Sequence, residues 1–169
     1  MSVMRVLGVA AIMGLIGMGA CGAAEELPPR QEGAAYVTVA EVKAQLEAAT
    51  PVTFLDVREA DEFAAGHLEG ARNISYDQVA SITAELPNDQ PIILYCIHSA
   101  HRAPEAAKTL AGLGFAKAVV LEGGIVAWQA GGQTIRANDL AAVPTILQKT
   151  DRCAVLGEAN GVKTKVPQL

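Results

Sequence analysis

The sequence predicts an α/β domain built on a parallel sheet, and three observations carry that expectation. Short apolar runs at 52–57, 92–96 and 118–121 are continuously hydrophobic rather than alternating, as in strands covered on both faces. Segments with helical periodicity lie between them, so strand and helix alternate along the chain. The third observation is size. A chain of 169 residues, 51% hydrophobic and 18% charged, supports one domain with a buried core and argues against disorder throughout.

Residues 1–24 read as an export signal outside the fold. Arg5 is the one positive charge ahead of an apolar stretch, Val6 to Met18, that is short for a membrane span. It runs into Met18-Gly19-Ala20-Cys21, which resembles a bacterial lipoprotein signal, with Cys21 lipidated as the mature N-terminus. Met18 stands where such signals usually have leucine. Cleavage near Ala24 to a soluble periplasmic protein, and an apolar tail packed on the domain, are the competing readings. The expected location is the periplasm or cell envelope, with Cys21 as a membrane tether.

Residues 25–35 mix charge, proline and glycine without periodicity and read as a linker. Thr38 and Glu41 have capping-box spacing and open a helix ending near Ala49, with Val39, Val42 and Leu46 on one face. Val52 to Val57 is the first strand, with Asp56 and Arg58 at its carboxyl end. A short helix over Glu59–Ala65 follows, ended by Gly66-His67. Ile74 marks a brief strand and Asp77–Leu86 another amphipathic helix. Ile92 to Cys96 is a buried strand, and Pro104 suits the first turn of a helix that runs to Leu113 and stops at Gly114. Ala118 to Leu121 is a further strand. Gly123-Gly124 leads into a short helix with Trp128, ending at Gly131-Gly132. The domain therefore spans 36–132, with an extension at 133–169 in which Leu140–Leu147 has the makings of one more helix.

The net charge of −5 gives no support to nucleic-acid or anionic-lipid binding by the whole surface. An anion must be drawn locally, by a few cations and backbone N–H groups. Three cysteines, at 21, 96 and 153, form no C-x-x-C pair and no disulfide framework. Export to an oxidising compartment endangers a reactive thiol, so a working Cys96 needs a reductant or a resting persulfide. Cys153 reads as incidental, with a resolving thiol as the alternative.

Cys96 sits where α/β proteins place their sites, at the carboxyl end of a buried strand. Ile97, His98, Ser99, Ala100, His101 and Arg102 follow, and a helix starts near Ala103. Such a loop turns backbone N–H groups inward. With the positive end of the helix and Arg102 they make an anion cradle that favours the thiolate. A thiolate so held can accept a sulfane sulfur or attack phosphorus or arsenic. The plainer reading is a small apolar residue ending a core strand. His98 and His101 read equally as substrate hydrogen-bonding groups and as exposed loop residues. With Cys96 they lack the partner that a metal site needs, and nothing in the sequence calls for a cofactor.

Four segments lie in the order and spacing of one family: Leu55-Asp56-Val57-Arg58-Glu59, Glu62 through Ile74 with its Gly66-His67-Leu68-Glu69-Gly70-Ala71, Tyr95-Cys96, and Leu121-Glu122-Gly123-Gly124-Ile125-Val126-Ala127-Trp128. Together they resemble the rhodanese family over nearly all of 36–132. The resemblance implies a rhodanese-like fold, a central parallel sheet flanked by helices on both faces. It implies a sulfurtransferase in which Cys96 takes the outer sulfur of thiosulfate or a related small anion and passes it to cyanide or a thiol. In that scheme residues Ile97 to Arg102 bind substrate, Asp56 and Arg58 support the loop, and His67 is a turn residue. The loop departs from the family's commonest form by one extra residue, and Ser99-Ala100 replaces its usual glycine. The resulting Cys-x5-Arg spacing resembles the rhodanese-fold phosphatases and arsenate reductases, although Tyr95 stands where those have histidine. A non-catalytic sulfur-binding module is the third reading.

Overall fold

The computed structural model describes residues 27–148. The signal reading at 1–24, Cys21 and Cys153 lie outside them. Five strands form a wholly parallel sheet, in the order β1 (Tyr36–Val37), β6 (Ala118–Leu121), β5 (Ile92–Tyr95), β2 (Thr53–Asp56) and β4 (Arg72–Asn73). Central β5 pairs along its length with β2, Leu94 lying opposite Leu55, and on its other side with β6, Leu94 opposite Val120.

Alternate residues of the same strands feed two separate cores, which is why the strand sequences look uniformly apolar. Leu55, Ile92, Leu94 and Val120 pack under α3 (Arg102–Gly112) with Ala103, Ala106, Ala107 and Leu110. Phe54, Ile93, Tyr95 and Leu121 face the other way, against Val42 of α1 (Val39–Glu47) and Ile125 and Trp128 of α4 (Gly124–Ala130). Burying one face takes a stripe of small and branched residues on the helix; burying both takes two helix layers.

Local chemistry fixes the helix ends. Thr38 and Glu41 close a reciprocal box: the Thr38 amide donates to Glu41 Oε2 at 2.8 Å, and the Glu41 amide to Thr38 Oγ1 at 3.2 Å. α3 stops in a Schellman turn. Gly114 takes φ +96°, and the amides of Phe115 and Gly114 donate to the carbonyls of Leu110 and Ala111 at 3.0 and 3.1 Å.

Three segments differ from the sequence expectation. The helix expected over 77–86 is a 3₁₀ helix, Val79–Glu85. The Ser81 and Thr83 hydroxyls donate to carbonyls three residues back, Gln78 and Ala80, a contact suited to the tighter winding. No helix forms over 140–147; Pro144 biases the preceding residue toward extended backbone. That tail instead runs past the end of α2 (Ala60–Ala65), where the amides of Asn138 and Thr145 donate to the carbonyls of Ala64 and Ala65 at 3.0 and 2.9 Å. It thereby satisfies acceptors that every helix terminus leaves open. A small second sheet, β3 (His67–Leu68) antiparallel to β7 (Ile135–Arg136), ties the tail to the domain. The segment read as a linker is also docked, in the part the structure describes: Arg30 holds Glu122 through two bonds of 2.7 and 2.8 Å.

Candidate active site

The loop from Cys96 to His101 joins the end of β5 to the first turn of α3. Its opening is clamped from two sides. The Val57 amide donates to the Tyr95 carbonyl at 3.0 Å, and the amides of Ile125 and Val126, in the first turn of α4, donate to the carbonyls of Cys96 and Ile97 at 3.0 and 3.2 Å. The close approach requires Gly124, at φ +61°. A Cβ there would collide with both carbonyl oxygens, and the left-handed backbone would strain any L side chain.

With its first carbonyls held, the loop turns its amides elsewhere. Among the described residues, the N–H groups of Ile97, His98, Ser99, Ala100 and His101 donate to no protein acceptor. Five successive backbone donors beside one cysteine are open to an anion acceptor, because a donor left unmade in a folded chain is costly. Cys96 itself donates its amide to Ser99 Oγ at 3.4 Å. Its side chain has no exposed surface and belongs to the apolar cluster beneath α3 with Leu55, Leu94 and Ala103. The sequence suggests a sulfur open to ligand; in this structure the loop is closed over it.

Ser99 stands at φ +55°, in the left-handed region, at the place where the family's usual glycine is missing. Strain there predicts an order of variants. Ser99→Gly is expected to stay within about 1 kcal/mol of the parent, since relief of strain offsets the lost hydroxyl contact and the added chain entropy. Ser99→Val, β-branched at the same angle, is expected to lose about 2–3 kcal/mol. Urea unfolding measures both, and the reverse order would refute the strain account.

Arg102 does not project at a ligand from the loop. It is 2% exposed and grips Glu62 of α2 with both terminal nitrogens, Nη1 to Oε2 at 2.6 Å and Nη2 to Oε1 at 3.0 Å. Burial works to raise the Glu62 pKa, but the Arg102 bonds and charge, with the Glu59 amide, outweigh it and hold the carboxyl below its usual range. The pair locks the start of α3 to α2, so Arg102 is a positioning residue in this state. Glu62 is the partner that motif spacing alone does not single out.

Beneath the loop lies a second buried ion pair. Arg58 donates from Nε and Nη2 to Asp56 at 2.9 and 2.6 Å, and from Nη2 to the Gly66 carbonyl at 2.6 Å. Burial tends to lower the Arg58 pKa; the Asp56 bonds and charge raise it overall. The Tyr95 hydroxyl accepts the Leu68 amide at 3.1 Å, and burial, then the Asp56 charge, pushes its pKa far up, keeping it neutral. Asn73 closes the block, donating to the carbonyls of Asp56 and Arg58 at 3.0 and 2.9 Å. This polar plinth holds the ends of β2 and β5 together, and with them the root of the loop.

The remaining loop residues divide. Ile97 and Ala100 are buried, and the Ala100 carbonyl accepts the Gln31 amide group at 2.6 Å. His98 is half-buried at the edge of a pocket. His101 is exposed, edge-on to Tyr76 with ring centroids 5.9 Å apart. His67, expected as a turn residue, begins β3; it stacks on Phe63, and its Nδ1–H donates to the Phe63 carbonyl at 2.9 Å.

Comparison with known proteins agrees with this architecture. The family model of the rhodanese-like domain matches residues 38–131, more than half of the chain. Similar relatives include the uncharacterized protein YqhL of Bacillus subtilis, 42% identical over 74 residues, covering 44% of this chain and 58% of that one. The thiosulfate sulfurtransferase GlpE of Pseudomonas putida is 36% identical over 76 residues, 45% of this chain and 68% of GlpE. A probable adenylyltransferase/sulfurtransferase of Mycobacterium tuberculosis, MoeZ, is 32% identical over 110 residues; the match covers 64% of this chain but only 28% of MoeZ. Among solved structures, a rhodanese-related protein from Thermoplasma volcanium superimposes with TM-score 0.53 at 27% identity, over 60% of this chain and 97% of that one. A Bacillus halodurans protein at 24% identity and TM-score 0.61, over 69% of this chain and 86% of its own, shares the fold. The chain belongs to the family of rhodanese-like domains, whose members similar to it include sulfurtransferases.

Proposed function

We propose that this protein is a sulfurtransferase that carries a sulfane sulfur on Cys96. The observation behind it is the row of five amides after Cys96 that meet no protein acceptor. A persulfide or sulfonate anion is the kind of group they suit. The thiolate attacks the outer sulfur of thiosulfate, the S–S bond of the donor breaks, and sulfite leaves with the electron pair. Cyanide or a thiolate then takes the outer sulfur and returns the Cys96 thiolate. This is covalent catalysis in two displacements. Since the cysteine is fully buried, the loop must open to admit the donor, and between turnovers it shields the sulfur from oxidants. Phosphate or arsenate chemistry is the weaker reading, because Arg102, the first cation after Cys96, is held bidentately by Glu62.

Intact mass tests the proposal. Thiosulfate-treated protein is expected to gain one sulfur atom on Cys96 and to release it to cyanide as thiocyanate; absence of the adduct overturns the reading. We place the reaction in the periplasm or cell envelope, with a lipid on Cys21, on the support of Met18-Gly19-Ala20-Cys21 after an apolar stretch. Cys21→Ser is then expected to move the protein from the membrane fraction to the soluble one. Parent protein recovered wholly soluble would argue for cleavage without a tether.

A further inference from the structure

We propose that Gln31 is a positioning residue for sulfur transfer: by holding the Ala100 carbonyl it aims the His101 amide at the anion that Cys96 carries. The inference rests on the sulfurtransferase reading and concerns a residue that precedes the rhodanese-like span, 38–131.

A peptide unit is planar and, throughout the described residues, trans. Its N–H therefore points opposite to the carbonyl it follows, so whatever grips that carbonyl sets the direction of the next amide. Three carbonyls of the loop are gripped from outside it. Ile125 and Val126 of α4 donate to those of Cys96 and Ile97 at 3.0 and 3.2 Å, which turns the Ile97 and His98 amides away from α4. The third is that of Ala100, which accepts Gln31 Nε2 at 2.6 Å. By the same rule the His101 amide is turned away from Gln31, and it meets no protein acceptor among the described residues. The two ends of the amide row are thus set by different parts of the chain, the first by α4 and the last by Gln31.

Gln31 is itself fixed from two sides. Its backbone N–H donates to the Tyr36 hydroxyl at 2.8 Å. Its Oε1 accepts from Lys108 Nζ at 2.9 Å, and Lys108 also donates to Glu105 Oε1 at 3.0 Å. An ammonium only donates and a carbonyl only accepts, so these partners leave the Gln31 amide one orientation, with Nε2 on Ala100. Partly exposed pairs of this kind add little stability. What the relay supplies is direction.

The test is made in the full chain. Gln31→Met keeps the side-chain length and removes both polar atoms. The second-order rate of Cys96 persulfide formation from thiosulfate, followed by intact mass, is expected to fall about tenfold, since a misaimed amide costs less than the roughly 10²–10³-fold of a deleted oxyanion donor. Arg30→Met frees the same segment from Glu122 but leaves the Ala100 bond, and is expected to stay within about twofold of the parent. Amide NMR separates aim from docking. In the parent the Ile97, His98 and His101 amide protons are expected to move downfield when Cys96 passes from thiol to persulfide, as donors to an anion do. In Gln31→Met the His101 displacement is expected to fall to less than about half, while those of Ile97 and His98, held by α4, persist. An undiminished rate or His101 displacement in Gln31→Met, a loss spread evenly over the three amides, or an equal rate loss in Arg30→Met overturns the proposal. A parent that takes up no sulfur sinks the sulfurtransferase reading itself, and the role of Gln31 with it.

Discussion

The Cys96→Ala protein is expected to fold like the parent and to make thiocyanate at least about 10⁴-fold more slowly. The cysteine sits in an apolar cluster with no exposed surface, so alanine removes one sulfur from the core and fits the same small volume. Serine is the harsher isostere, because its hydroxyl enters that same cluster and costs about 1–3 kcal/mol if it finds no partner. Both lack the thiolate, and neither forms a persulfide. Thiocyanate production measures the loss, and near-ultraviolet circular dichroism checks the fold. Turnover surviving in Cys96→Ala would place the nucleophile elsewhere, with Cys153 the next residue to replace.

Arg102→Met is expected to destabilise the domain by about 3–5 kcal/mol, lowering Tm by on the order of 10–20 °C. The variant strands the Glu62 carboxylate, which has no exposed surface, without its bidentate partner. The double variant Glu62→Leu with Arg102→Met removes both charges, and most of the loss should return, since a buried pair repays little more than its own desolvation. Acid dependence gives a second signature. Glu62 has its folded pKa depressed below the unfolded value, roughly 4.3. Its stabilising contribution is therefore present above that value and lost as pH falls through the folded one. Without Arg102, burial, the largest influence, is opposed only by the Glu59 amide and the Arg58 charge, and the sign is expected to reverse: lowering the pH through a raised value should recover stability. Urea midpoints between neutral and mildly acidic pH measure both. A single variant costing under about 1 kcal/mol would show that the pair is dispensable.

The parallel sheet and its helices were readable in the sequence because β2, β5 and β6 bury both faces and so carry runs of apolar residues without alternation. The position of Cys96 at the end of such a run was readable for the same reason. The two-residue strands β1, β3 and β7 were not, since two residues show no period. Glu62 finds Arg102 forty residues away, a pairing that no local pattern encodes. Leu27 to Gln31 looked like a linker for want of periodicity, yet side chains at 30 and 31 fix it against distant elements. Leu140 to Leu147 carried apolar residues enough for a helix, but Pro144 stands within it and the tail instead bonds the open carbonyls of α2. The closed loop over Cys96 depends on how three elements meet, α4, α2 and the end of β2. Residue type alone does not convey that.

The strand order carries a consequence for synthesis. β1, made first, lies beside β6, made almost last, and central β5 needs neighbours from both halves of the chain. A nascent polypeptide holding β1, β2 and β4 has only the β2–β4 pairing available, and the hydrogen bonds from Ile125 and Val126 to the carbonyls after β5 arrive later still. Non-local pairings of this kind are slow to form and close cooperatively. The loop after Cys96 is thus fixed only at the end of vectorial production, so a translation product lacking α4 contains the cysteine and its loop but not the amides of Ile125 and Val126 that clamp it.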